Sequence, residues 1–289
     1  MIPRPSSHSK ALGPGVTGPE LLYATSAVLE RPTQPTPVQP TCGAQAFVVD
    51  GPAMEAASAH DPRQHTKQPY VTGTSVIGIK YKDGVMLVAD TLGAYGSTKR
   101  YKSMDRIVGV NKHAAIAAGG EISDFQYIQR LLDELVTGDF TRDDGIELQP
   151  AELHAYLCRV MYNRRNKMDP LWNSLVIGGV GADGKAFLGL VGMQGTHYTD
   201  SHVTTGFANA LARPILRERQ RDDMSEADAE ALLHDVLRVL YYRDKQTINK
   251  YTLAKVTAAG VSISEPFTLE TQWGYKLFAA PTKWAVGAW

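Results

Sequence analysis

Apolar and polar positions change rhythm sharply at Val71. From Ser75 to Tyr81 the chain is rich in β-branched residues and reads as a strand. Lys82-Asp83-Gly84 is a turn signal, and Val85-Met86-Leu87-Val88-Ala89 is a short continuous apolar run. Such a run suits a strand buried on both faces, here the second arm of a hairpin. Another strand pair is predicted over 106–110 and 113–118, around the turn residues Asn111 and Lys112. The period then becomes helical. Ile122, Phe125, Ile128, Leu131, Leu132, Leu135 and Val136 share one face. Pro150 suits the first turn of a second helix, whose face is Leu153, Tyr156, Leu157, Val160 and Met161. Asp169-Pro170 closes that segment, because a residue before proline avoids the helical region. Strands return over 174–180 and 185–191, joined by Ala182-Asp183-Gly184. A short helix is predicted over 207–217. Ser225 and Asp228 resemble a capping box, opening a helix whose stripe is Ala229, Leu232, Leu233, Val236, Leu237 and Leu240. Strands over 252–257 and 261–264 flank Ala259-Gly260. Strands, helices, strands, helix, strands is not the alternation of a doubly wound parallel sheet. It predicts an α+β fold of antiparallel sheets with the helices outside.

The first 71 residues read differently. They hold eleven of the sixteen prolines, and from Pro32 to Pro40 a proline falls every two or three residues. Proline fixes φ and donates no hydrogen bond, so the stretch favours extended, solvated backbone. With few large apolar residues it cannot offset its ordering entropy by burial. It is expected to be disordered or a removable leader, the plainer alternative being an ordinary loose tail.

Composition narrows the function. Thirty basic and thirty acidic side chains cancel, so no global field recruits nucleic acid or an anionic membrane. No run of about 18 apolar residues offers a membrane span, and MIPRPSSHSK lacks the apolar core of a secretory signal. Neither nucleic acid nor membrane is expected as a partner. Cys42 and Cys158 read as free thiols, and two cysteines alone build no zinc or iron–sulfur site. The histidines at 154, 197, 202 and 234 lack metal-ligand spacing and read as surface or packing residues. No metal and no cofactor is expected. Gly178-Gly179-Val180-Gly181 follows a strand but leads into a hairpin, so it is a bend rather than a phosphate loop. No Gly-x-Ser-x-Gly elbow occurs.

The junction Thr72-Gly73-Thr74-Ser75-Val76 carries the chemical question. Cutting after Gly73 would expose Thr74, and an N-terminal threonine can use its own α-amine as the base for its hydroxyl. Alone, a Gly-Thr step says little. The surrounding strings say more: Asp90-Thr91-Leu92-Gly93-Ala94-Tyr95-Gly96-Ser97, Asp124-Phe125-Gln126-Tyr127, the run from Asn163 to Asn173 (NRRNKMDPLWN), and Arg238-Val239-Leu240-Tyr241-Tyr242-Arg243-Asp244. With these, residues from Thr72 to about 271 resemble the β-type subunits of the eukaryotic 20S proteasome, in particular those of the beta-seven position, called beta type 4 in mammalian naming.

That resemblance implies the N-terminal-nucleophile hydrolase fold, a four-layer αββα sandwich of two antiparallel sheets. It also implies a site in which a terminal threonine is served by a lysine, two aspartates and two serines. Position by position, Thr74 stands for the nucleophile and Asp90 and Asp244 for the aspartates. Arg106 replaces the lysine, Phe207 one serine and Thr247 the other. Arginine stays protonated and cannot exchange a proton as a tuned lysine can. Phe207 removes a hydroxyl, whereas Thr247 keeps one. The resemblance further implies trimming upstream, between His65 and Thr66, which leaves Thr74 internal and without a free amine. The expected division is therefore a leader over 1–65, a β-subunit domain over 66–266 and a tail over 267–289. The expected role is noncatalytic and architectural, with α and β subunits in stacked seven-membered rings as partners, two copies per particle, assembly chaperones as further partners, and a location in cytoplasm and nucleus. The alternative is an active threonine endopeptidase processed at Gly73-Thr74. Independently, the tail carries Trp273, Tyr275, Phe278, Trp284 and Trp289, a residue class enriched at interfaces. Packing of Trp273 and Tyr275 on their own domain is the competing reading.

Overall fold

The computed structural model describes residues 68–274, together with 280, 282, 283 and 286. In chain order the strands and helices are β1 (Val71–Gly73), β2 (Val76–Tyr81), β3 (Gly84–Asp90), β4 (Gly93–Tyr95), β5 (Thr98–Tyr101), β6 (Ile107–Asn111), β7 (Ala114–Glu121), α1 (Ile122–Phe140), α2 (Pro150–Asn166), β8 (Asn173–Val180), β9 (Ala186–Val191), β10 (His197–Thr199), β11 (His202–Thr204), α3 (Ala208–Leu211), α4 (Arg213–Arg219), α5 (Glu226–Arg243), β12 (Tyr251–Thr257) and β13 (Gly260–Ile263). Two sheets form. The larger runs β10-β9-β8-β7-β1-β4-β5, with β6 also on β7, and the smaller runs β11-β2-β3-β12-β13. Every strand pair is antiparallel.

Three apolar layers hold these pieces together. One lies between the sheets and contains Val76, Val85, Leu87, Ala117, Val176, Leu188 and Val256. A second packs α1 and α2 on the larger sheet through Ile116, Phe125, Ile128, Leu153, Leu157 and Leu175. The third packs α5 and its neighbours on the smaller sheet through Ile77, Met86, Val88, Leu233, Val236 and Leu237. Helix, sheet, sheet, helix is the expected four-layer α+β sandwich. Period-two geometry explains the continuous apolar runs. Val85, Leu87 and Ala89 face the other sheet while Met86 and Val88 face α5, so both faces of β3 need apolar side chains. Gly178 belongs to this logic. A Cβ there would stand 2.8 Å from Val85 Cγ1 of the opposing sheet. The glycine pair is thus a close-packing device inside β8.

Helix ends follow their sequence signals. Ser225 Oγ accepts from the Asp228 amide at 3.2 Å and opens α5, whose buried stripe is the predicted one. Pro150 begins α2, where Gln149 and Glu152 form a capping box. One expected helix is corrected: 207–217 is two helices, α3 and α4, which meet at Ala212. Pro214 has no amide to continue the first helix, so the chain restarts with the proline in its first turn. The expected division at 266 is not a break in packing. Phe267 bridges to Tyr251, and Leu269 is buried, its amide held by Asn249 at 2.8 Å. The expected leader, with His65, Thr66 and Cys42, lies outside the described residues, as do Tyr275, Phe278, Trp284 and Trp289.

Candidate functional site

Thr74 sits where the chain crosses from one sheet to the other, between β1 and β2. Its hydroxyl donates to Asp244 Oδ2 at 2.8 Å. Asp244 caps α5 and is held by Gln246, whose amide donates to Oδ1 at 2.8 Å. Asp90 ends β3 and is 3% exposed. Its Oδ2 accepts from the Thr247 hydroxyl at 3.1 Å and from the Ile248 amide at 3.4 Å, while Oδ1 pairs with the Arg106 guanidinium.

Arg106 is the centre of the arrangement and is 2% exposed. Beyond its ion pair with Asp90 it donates to four backbone carbonyls. Nη2 reaches Thr74 at 2.6 Å, Ser75 at 3.2 Å and Ala118 at 3.1 Å. Nε also reaches Ala118 at 3.2 Å, and Nη1 reaches the Asp90 carbonyl at 3.3 Å. A planar five-donor fork can satisfy this many acceptors, whereas an ammonium offers three protons from one point. Burial pulls Arg106 down from its usual pKa and pushes Asp90 up, and the opposite charge of each partner opposes the other's shift. Gly73 completes the fit, since a Cβ there would fall on the guanidinium itself.

The sequence-predicted residues therefore divide. Thr74, Asp90, Arg106, Asp244 and Thr247 converge in one network. Phe207 does not join it. It precedes α3, is 61% exposed, and lines the pocket of about 270 Å³ shared by Thr72, Gly73, Thr74, Gly119 and Gly120. Two hydroxyls that sequence reasoning missed do the local organising. Ser75 Oγ accepts from the Ala208 amide at 3.0 Å, and Thr205 Oγ1 from the Val76 amide at 2.9 Å.

The approach to Thr74 is also built. β1 lies between β4 and β7, antiparallel to both, with Thr72 opposite Ala94 on one side and Glu121 on the other. The residues before the hydroxyl thus form a strand within the larger sheet. Among the described residues, no three of His, Cys, Asp and Glu converge as metal ligands, and no helix is long and apolar enough to cross a membrane.

Trp273 lies at a separate place. Its ring meets the edges of Tyr241 and Tyr242 on α5, at 5.7 and 5.0 Å between centroids, and it remains 52% exposed. Trp273 thus packs in part on its own domain, while Tyr275, the other residue of the competing reading, lies outside the described residues.

A two-sheet sandwich with a threonine at the sheet crossing, two aspartates and a buried cation beside it defines the N-terminal-nucleophile hydrolase architecture. Comparison with known sequences narrows the class. The model of the proteasome subunit family matches residues 70–256. Over 231 residues the chain is 53% identical to proteasome subunit beta type-4 of Arabidopsis thaliana, covering 80% of this chain and 94% of that one. It is 42% identical to the beta type-4 subunit of Xenopus laevis, with 73% and 88% covered, and 40% identical to the beta type-7 subunit of Saccharomyces cerevisiae, with 69% and 78% covered. The chain belongs to the proteasome subunit family, and its relatives are β-type subunits.

Proposed function

We propose that this chain is a noncatalytic, structural β subunit of the 20S core particle, serving ring assembly and half-particle pairing in ubiquitin-dependent protein degradation, in cytoplasm and nucleus. One observation carries the reading: the position of the tuned lysine is filled by an arginine tied into the backbone. A base for the threonine hydroxyl must lie within hydrogen-bond reach and be able to give and take a proton. Arg106 is committed to Asp90 and four carbonyls, and a guanidinium does not give and take a proton as a tuned lysine can. In this reading the mature chain keeps residues ahead of Thr74, so the Thr74 nitrogen is an amide and no base. Phe207 supplies no hydroxyl. The partners in this reading are α and β subunits in stacked seven-membered rings, two copies of the chain per particle, with assembly chaperones acting earlier and neighbouring active subunits removing the leader.

The N-terminus of the mature chain tests this. Intact mass or N-terminal sequencing of purified particles is expected to place it at Thr66, upstream of Thr74. A mature chain beginning at Thr74 and labelled there by a threonine-directed electrophile overturns the reading in favour of an active endopeptidase.

A further inference from the structure

β7 ends at Glu121, and α1 begins at the next residue. The ladder between β1 and β7 runs through Gly73 opposite Gly120 and Thr72 opposite Glu121, and there it stops. Past that point α1 offers no strand edge to the chain leading into β1. The Glu121 side chain takes over. A single oxygen, Oε2, accepts from the amides of both Tyr70 and Val71, the latter at 3.0 Å. Two successive amides thus converge on one carboxylate oxygen. The other oxygen, Oε1, accepts from Ser123 Oγ at 3.0 Å, which fixes the carboxylate's orientation. Glu121 is 3% exposed, and its carboxylate precedes the first turn of α1, whose free amides favour negative charge. Its own amide is held by the Trp172 carbonyl at 2.9 Å, and its carbonyl accepts from Asn173 Nδ2 at 2.8 Å. The residue is fixed at every polar atom, and two of those ties go to the segment before Thr74.

We propose that Glu121 is a positioning residue that latches Tyr70 and Val71 in place, keeps β1 seated between β4 and β7, and so closes that slot to any other extended peptide. The latch deepens the noncatalytic reading and rests on it, because a chain beginning at Thr74 would lack the latched residues. Nothing in it requires chemistry at Thr74. It requires only that the residues ahead of the threonine stay where the carboxylate can hold them.

Hydrogen exchange on purified particles carrying this chain tests the latch, with Glu121→Gln and Glu121→Ala as variants. Hydrogen bonds to a charged acceptor are the stronger class, so Glu121→Ala is expected to speed exchange of the Tyr70 and Val71 amides by about tenfold or more. Glu121→Gln keeps the shape and one neutral acceptor, and is expected to fall between Glu121→Ala and the native chain. Exchange in β7 and β8 should stay within about twofold of native. An aminopeptidase added to the particles should trim the native extension no further than Tyr70 and should trim the Glu121→Ala chain beyond it. Unchanged exchange at Tyr70 and Val71 overturns the latch. So does an equal rise throughout β7 and β8, which makes Glu121 a general fold residue. A mature chain found to start at Thr74 removes the noncatalytic reading, whereas an extension that is present but unprotected removes the latch alone.

Discussion

Arg106 and Asp90 form a buried ion pair in which neither side chain is more than 1% exposed. Removing one partner of such a pair leaves an uncompensated charge and costs about 3–5 kcal/mol. Arg106→Met is therefore expected to be severely destabilising, since it also strips donors from the carbonyls of Thr74, Ser75, Asp90 and Ala118. Thermal or denaturant unfolding of particles containing the variant, or its failure to be incorporated, is the readout. Arg106→Lys asks a different question. It restores the residue type of active relatives, as the resemblance implies, and in the proposed noncatalytic reading it leaves the Thr74 nitrogen in a peptide bond. It is expected to lose about 1–3 kcal/mol from unmet acceptors and to gain no labelling by a threonine-directed electrophile. Labelling of that variant, read by mass spectrometry, would show that residues ahead of Thr74 do not block the hydroxyl and would overturn that part of the proposed reading. The identity of Arg106 was plain in the sequence, and its need for a partner followed from burial. Its four carbonyl acceptors were not, because backbone groups carry no residue-specific signal.

Elements were legible where burial imposes a period. The faces of α1 and α5 and the two-sided strands β3 and β8 follow directly from apolar spacing. The three-residue strands β1, β4, β10 and β11 were not read, because so few positions establish no alternation, and β5 is exposed at every residue. His154 shows the same limit within a helix. It lies on α2 beside the predicted stripe and is buried against Gly189 of β9, with Nε2 3.1 Å from the Leu190 carbonyl. Burial lowers its pKa below the usual imidazole value, and the neighbouring His197 acts in the same direction. The folded state thus binds this proton less readily than the unfolded chain does. The resulting stability is present above about pH 6.5 and is lost as pH falls through the lower folded value. NMR titration should show His154 protonating below about 6.5, and His154→Gln should flatten the decline in unfolding midpoint from pH 6.5 toward the lower folded value. A ring titrating at or above about 6.5 contradicts the assignment.

At the level of the whole molecule, the described chain from Phe267 to Trp273 is tied down. Phe267 pairs with Tyr251, Leu269 is buried, Arg238 Nε donates to the Glu270 carbonyl at 3.2 Å, and the Tyr242 hydroxyl accepts from the Gln272 amide at 2.7 Å. This strap brings Trp273 out half-exposed over α5, with further aromatics following it in sequence. In the architectural reading those aromatics engage other subunits. Deleting 270–289 is therefore expected to leave the domain folded and to reduce the pairing of half-particles, seen in native gels as accumulation of the smaller species. Unchanged assembly would confine the strap to a local role. Antiparallel sheets with the helices outside could be read from element order, and the four layers came with the resemblance, but the route of this strap could not be read, since it depends on side-chain contacts between distant positions.

β1 is joined through Thr74 and Ser75 to β2, so the strand filling the gap between β4 and β7 is tethered to its own berth. A tether of two residues gives a local concentration of mM order or higher. A dissolved peptide reading the same two edges competes against that concentration, and excess ligand in the micromolar range displaces very little of the resident strand.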